Sequence, residues 1–467
     1  MRFNHTRHWL TPRAKARHPS GKRQRAIGSI RSPPRSVAIG YPVGFINHLP
    51  FFRSPAVHER DLSKIIALML LLAVFAGCSK PATQSSTAPQ PTTLEEITAD
   101  DSSIVSDVSR AEADQFAAEW QLAVEQNDAA KATELIDWTS IFDRALEGFD
   151  VDPRFRSGFH QGASQAVKNL VGVVHQSTLN GGSYRLVRSV QRGESQHVVM
   201  RLLTNDGGTN YHDFQLARKN GKIVGEHFFI AMTGESFGDS LRTNVAAVIQ
   251  SQNSVLSRLS GTAKTEMENL TKQQEMSTAV QQGNYQRALE IYDELPEKIQ
   301  QMKLPMLFRV MSLAEGDYEI YVDAINEYSD RFPDDACLGL ITLDAAGINE
   351  DEALLLKSYD SIQKWTGGDP YLTTLVAGVR ATFGATEAAQ KMIETVDVDA
   401  LGLAGAHDFA LTVSLASDDH ESTLHHLAAL RDQYGYEFTD LATVEDFKRF
   451  AASPVYQQWL QGNTAGK

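Results

Sequence analysis

Gly283 and Gly316 stand 33 residues apart, each at the head of a similar stretch. The first reads Gln282-Gly283-Asn284-Tyr285-Gln286-Arg287-Ala288-Leu289-Glu290-Ile291-Tyr292, and the second Glu315-Gly316-Asp317-Tyr318-Glu319. A period of this length fits one helix–turn–helix unit, which cannot bury its apolar face alone and must stack on neighbours. It commits the segment from 271 to 467 to an all-α array. Weaker units follow: Ala345-Ala346-Gly347 before Leu355, Tyr359 and Ile362; Val376 to Phe383 before Ala388, Met392 and Val396; Phe409, Val413 and Leu415 before Leu424, Leu427 and Leu430. Phe447, Phe450, Tyr456 and Trp459 are expected to cap the stack, because a terminal unit has no further neighbour.

The two stretches resemble tetratricopeptide repeats, whose period is about 34 residues. In that family Gly283 and Gly316 would allow close helix approach, Ala288 would sit where two helices touch, and Tyr292 would fill the gap to the next unit. Tyr285 and Tyr318 occupy matching positions, and Pro333 in Phe332-Pro333-Asp334-Asp335 resembles the turn that closes such a repeat. The second copy departs from the pattern through Tyr321-Val322-Asp323 before Ala324. The resemblance implies a solenoid that offers a surface to another protein.

Residues 105–240 read as α+β. Ser109 and Glu112 have capping-box spacing, and Phe116, Trp120 and Val124 then line one helix face. A second helix is predicted over Leu135, Ile136 and Trp138, and a third, after Pro153, over Phe159, Ala163, Val167, Leu170 and Val174. About four strands follow, around Tyr184–Val190, Val198–Leu202, His212–Leu216 and Ile223–Met232. Asn220-Gly221 suits a tight hairpin, whose two central residues need positive φ. Helices before an antiparallel meander predict helices packed on one sheet face. The order, with the hairpin from Phe214 to Val224, resembles the NTF2-like superfamily, in which a curved sheet and its helices form a cone. Residues 241–270 read as a linking helix carrying Leu241, Val245, Val248, Val255 and Leu259, which Ser260-Gly261-Thr262 could interrupt.

Upstream, Ile65 to Gly77 is an apolar run of 13 residues behind Arg60 and Lys64, and Cys78 follows Phe75-Ala76-Gly77. The run is too short for a spanning helix, which needs roughly 20 residues, and suits a secretory signal. The segment 57–77 resembles a bacterial lipoprotein signal, with Phe75 where the pattern has Leu, and so implies lipid attachment at Cys78. The linker in 78–104 is Pro-punctuated and polar from Ser79 to Thr93, a coil of roughly 20 Å. Ser79 is not the Asp associated with inner-membrane retention, which favours the outer membrane. Residues 1–56 hold eleven Lys/Arg and no acid, and are read as a non-native or disordered basic extension.

Without those eleven, 33 basic residues face 58 acidic ones, a net charge of −25, which disfavours nucleic-acid binding. From 266 to 467 there are 34 acidic and 14 basic residues, so a basic or apolar partner segment is favoured over an acidic one. With Cys78 acylated, Cys337 has no disulfide partner and is expected to be a small core residue.

No phosphate loop, nucleophile or zinc-spaced cluster is present in the sequence, so no catalytic residue, cofactor or metal is expected. His425 and His426, with His420, Asp418 and Asp419, read as a solvated polar turn. Asp213 shares a strand face with Tyr211 and Gln215; Glu226 is placed with Val224, Phe228 and Ile230, and His227 with Phe229. An acid held among apolar neighbours in a cone could serve as a base. The expected function is a membrane-anchored interaction scaffold of the cell envelope, with a small-molecule binder or enzyme built on Asp213, Glu226 and His227 as the alternative.

Overall fold

The computed structural model describes residues 106–464, apart from 205–206, 254–261, 315, 437 and 439–440. The extension, signal segment, Cys78 and the tether, together with Val255 and Leu259, lie outside the described residues. An α+β region comes first and an all-α region follows.

Helix α1 (Arg110–Glu125) starts at Ser109 with the complete capping box, Ser109 and Glu112 each satisfying the other's backbone N–H. It is followed by α2 (Ala129–Leu135), α3 (Trp138–Leu146) and α4 (Pro153–Thr178), capped by Asp128, Asp137 and Asp152. The single helix expected over Leu135, Ile136 and Trp138 is therefore two. Ile136 is extended and bridges Gly225, whose carbonyl accepts from Asp137 N at 2.9 Å, and Asp137 then restarts the helix. Gly225 permits this approach: a Cβ there would stand 2.7 Å from Ile136 Cδ1.

Strands β1 (Ser183–Arg192), β2 (Ser195–Leu203), β3 (Thr209–Lys219), β4 (Lys222–Ile230) and β5 (Glu235–Ser236) form an antiparallel meander in sequence order. Asn220 and Gly221 both take positive φ, as the tight hairpin requires. The register then shifts, with Gln215 opposite His227 but Leu216 opposite Gly225, so Glu226 is an extra residue. Such a bulge breaks the alternation of side chains. Glu226 accordingly does not share a face with Phe228 and Ile230 as strict alternation predicts; its carboxylate accepts from Gln215 Nε2 at 3.2 Å.

After α5 (Phe237–Asn253) come α6 (Thr262–Gln281), α7 (Tyr285–Glu294), α8 (Glu297–Gln300), α9 (Lys303–Leu313), α10 (Tyr318–Arg331), α11 (Leu338–Ile348), α12 (Glu352–Thr366), α13 (Pro370–Thr382), α14 (Thr386–Ile393), α15 (Val398–Leu401), α16 (Ala404–Ala416) and α17 (His420–Tyr434). Five hairpins, α6/α7, α9/α10, α11/α12, α13/α14 and α16/α17, follow one another. The residues that enter their second helices are 283–284, 316–317, 350–351, 384–385 and 418–419, so successive turns lie 33, 34, 34 and 34 residues apart. Four of these turns use a left-handed residue: Gly283 (φ 67°), Glu350 (54°), Gly384 (83°) and Asp418 (56°). Asn284, Asp317, Asp351 and Asp419 cap the helices that follow. Phe447, Phe450 and Tyr456, around α18 (Lys448–Ala451) and α19 (Pro454–Thr464), bury themselves against Leu411, Leu427 and Leu430 and close the last hairpin.

The apolar core does not divide at the sequence boundary near 240. One cluster runs from Val108 through the sheet to Leu340, Leu375 and Phe409, while the first two hairpins share a separate core with Tyr321, Tyr328 and Cys337. Gly384 has no atom within 4 Å of where a Cβ would stand. Gly384→Ala therefore tests backbone strain alone and should cost about 1 kcal/mol in urea unfolding, with Glu350→Gly acting in the opposite direction.

Candidate functional site

Among the described residues, chemistry-bearing side chains converge in three places. The first is the helix-facing side of the sheet, where an NTF2-like cone would be open. Aromatic rings occupy it. Phe214 stacks on Phe228 at 4.7 Å and meets Trp120 at 5.0 Å and Phe116 at 5.9 Å, while Phe237 packs on Phe228 and Trp138. The polar groups here satisfy one another: Trp120 Nε1 donates to Tyr184 Oη at 3.1 Å, and Tyr184 Oη lies 2.9 Å from His212 Nδ1. Indole N–H can only donate, so the Tyr184 phenol oxygen accepts from Trp120. Burial pushes the His212 pKa down to about 3 and keeps the ring neutral.

The second place is the opposite face of the sheet, which carries Asp213. This face is covered by the end of α12 and the start of α13. Asp213 is ion-paired with Arg192 and accepts from His197 Nδ1 at 2.9 Å. Burial alone would raise its carboxyl, but the His197 and Arg192 charges and hydrogen bonds outweigh it and hold Asp213 below the ordinary carboxylate range. Arg192 also donates to Trp365 O at 2.6 Å, and Arg188 donates to Gly367 O. Beside them Arg201 pairs with Asp369, whose carboxylate accepts from Tyr211 Oη at 2.8 Å and Tyr371 N at 3.0 Å. Trp365 packs on Tyr211 and Phe229, and the Arg201 guanidinium lies over Tyr371 at 4.7 Å. The arrangement joins two parts of the chain; the acid expected to be poised for proton transfer is neutralised by cations instead.

The other two residues of the expected pocket are held by different partners. Glu226 reaches Gln215 and, at 3.9 Å, Lys219. His227 contacts Arg144, and burial followed by the Arg144 charge lowers its pKa. In the first hairpin Gly283 makes the turn and Ala288 is fully buried. Tyr285 and Tyr292 pack at the edge of its core, and Tyr292 lies under the Arg309 guanidinium. Gly316 precedes the Asp317 cap, Tyr318 opens α10, and Pro333 lies in the turn before α11. Cys337 is buried, which pushes its thiol well above the usual value, and lies 3.3 Å from Tyr328 Oη.

The third place is the fifth hairpin. His407 of α16 is fully buried, and its Nδ1 lies 3.2 Å from Nδ1 of His426 on α17. His425, half exposed, brings a third ring alongside, and one ring nitrogen from each of the three lies within 4.8 Å of the others. Asp399 of α15 contacts His425 Nε2 at 3.0 Å and stands 3.7 Å from His407 Nε2. Burial, followed by the neighbouring imidazoles, pushes His426 down to about 4. The acids considered beside these histidines are engaged elsewhere: Asp418 pairs with Arg449, and Asp419 caps α17. Sequence spacing could not find this cluster, because His407 lies on the preceding helix and meets its partners only when the hairpin closes.

No family model, curated protein or solved structure matches the chain.

Replacing Asp369 leaves Arg201 buried without a counter-charge. Asp369→Ala should lower the unfolding free energy by about 3–5 kcal/mol, and a loss under 1 kcal/mol in urea titration would reject this view of the junction. For His212 the folded pKa lies below the unfolded one, so the unfolded chain takes up the proton first. Stability is then lost as pH falls from about 6.5 towards 3. Between pH 6.5 and 4.5, His212→Gln should lose about 2 kcal/mol less than the parent chain.

Proposed function

We propose that this protein is a lipid-anchored scaffold of the cell envelope, held at the outer membrane through Cys78 and presenting a tetratricopeptide-like array to another protein. The observation that carries this reading is the recurrence of the five hairpin turns at 33–34 residues. That is the tetratricopeptide period, extended over the whole segment from α6 to α17. Arrays of this kind present continuous surfaces assembled from successive units.

In this reading the NTF2-like region is a rigid mount. Its helix-facing side is filled with aromatic rings and its other side is occupied by α12 and α13, which favours a structural role over a catalytic one. The partner is a protein segment of basic or apolar character, since the array carries 34 acidic and 14 basic residues from 266 to 467. Ile320 on α10 stands half exposed, and Glu275 and Thr278 of α6 line an open cleft of about 450 Å³ with Arg287. These positions serve as probes of the surface.

Two readouts test the proposal. Cys78→Ser should abolish fatty-acid labelling and release the protein from the membrane pellet; unchanged labelling rejects the anchor. A photocrosslinking residue at Ile320 or Thr278, in native membranes, should capture one polypeptide reproducibly, and charge reversal at Glu275 should weaken that capture. Crosslinking confined to the sheet region would reject the array as the binding surface.

A further inference from the structure

The fifth hairpin holds a set of side chains that neither stability nor the scaffold reading requires. His407 is completely buried, and its Nε2 has no hydrogen-bond partner. A buried polar atom left unpaired is destabilising, so its persistence calls for an explanation. A direct hydrogen bond between His407 and His426 employs one nitrogen of each ring and leaves that atom unexplained.

We propose that His407, His425 and His426 form a binding site for a zinc-class divalent cation. Three arguments support the assignment. The first is distance. Zinc–nitrogen bonds of 2.0–2.1 Å arranged tetrahedrally put ligand atoms about 3.3 Å apart. The Nδ1 atoms of His407 and His426 are already 3.2 Å apart. The second is mobility of the right ring. The three-ring set spans up to 4.8 Å, wider than a bound cation needs, and the ring that can close the gap is His425, which is half exposed while the other two are buried. The third is orientation. A ligating histidine commonly donates its other N–H to a carboxylate, which fixes the tautomer and the ring. Asp399 stands 3.7 Å from His407 Nε2, beyond hydrogen-bond distance in the metal-free protein, and a small shift would let it accept from that nitrogen once Nδ1 is ligated. Asp399 also touches His425 Nε2 at 3.0 Å.

Neutral imidazole suits zinc, copper and nickel, whereas calcium and magnesium require oxygen ligands. Three protein ligands leave a fourth position for water or for the Asp399 carboxylate. Bound there, the cation cross-links α16 to α17 immediately before the terminal cap. The inference is independent of the scaffold reading: the cation can bind whether or not the array holds a partner.

The test uses the full chain, stripped with a chelator and dialysed, then titrated with zinc chloride by calorimetry. One equivalent should bind with a dissociation constant below about 10 µM, and saturating zinc should raise the thermal midpoint, as any ligand of the folded state alone must. His425→Ala is the informative variant because its ring is exposed and its removal leaves the core intact; affinity should fall at least tenfold with the metal-free midpoint unchanged. His407→Gln and His426→Gln, checked for folding by circular dichroism, should lose binding as well. His160→Ala, remote from the hairpin, should bind as the parent chain does. Absence of saturable binding in the parent chain, or unchanged affinity in His425→Ala, overturns the assignment, as does an equal loss in His160→Ala.

Discussion

The junction between the sheet and the helical array rests on three arginines from the first two strands. Arg188 and Arg192 donate to Gly367 O and Trp365 O, carbonyls at and just beyond the end of α12, and Arg201 pairs with Asp369, which caps α13. The end of a helix carries unpaired carbonyls and a partial negative charge, so cations belong there. What sets this contact apart is its burial: the Arg192, Arg201, Asp213 and Asp369 side chains are 7% exposed or less. Buried charges must find partners, and these find them only when β1, β2, β3 and the α12–α13 turn are all in place. The contact therefore specifies how the two regions meet, a task that apolar packing of Trp365 on Tyr211 and Phe229 could perform only loosely.

The rest of the architecture follows from that fixed point. Hairpins three and four are drawn onto the sheet and share its core, and the first two hairpins share a second core that Ile341 and Ala345 of α11 complete. They touch the sheet region through Lys303, which donates to Gly234 O at 2.9 Å and pairs with Asp335 at 2.8 Å. The last hairpin is sealed by aromatic residues from the C-terminal segment. Each hairpin thus obtains the neighbour it lacks alone, but the neighbour is of a different kind along the array: another hairpin, a sheet or a cap.

Much of this was legible in the sequence. The capping box at Ser109 and Glu112, the helix start at Pro153, aromatic spacing in α1, and the Asn220-Gly221 hairpin are local devices, and local devices survive in a one-dimensional reading. The turns of the array show where legibility ends. Gly283-Asn284 couples the left-handed residue to a capping side chain and is easy to see. Later turns keep only half the signal: Gly384 is followed by Ala385, which makes no side-chain cap, while Asp351 and Asp419 cap helices behind the non-glycine residues Glu350 and Asp418. Strand alternation misplaces Glu226 because one inserted residue in β4 changes its parity. Strand alternation puts Asp213 on the face it occupies, but the partners that neutralise it come from β1 and β2, and the turn covering that face lies about 150 residues downstream. His407 is the same lesson in the array: a histidine on an apolar helix gains chemistry only from what folds against it.

The continuity of the core through the α12–α13 turn also determines how load travels. Tension applied at the N-terminal end of the folded region enters α1 and the sheet beneath it. From there it passes through the buried arginine contacts into the middle of the array. The first two hairpins, although they come earlier in the chain, lie on a side branch of that path. A partner gripping the later hairpins would pull directly against the sheet, whereas one gripping the first two would pull through the Lys303 contacts and through α11, whose Ile341 and Ala345 complete their core. Order along the backbone and order along the line of force are different in this molecule.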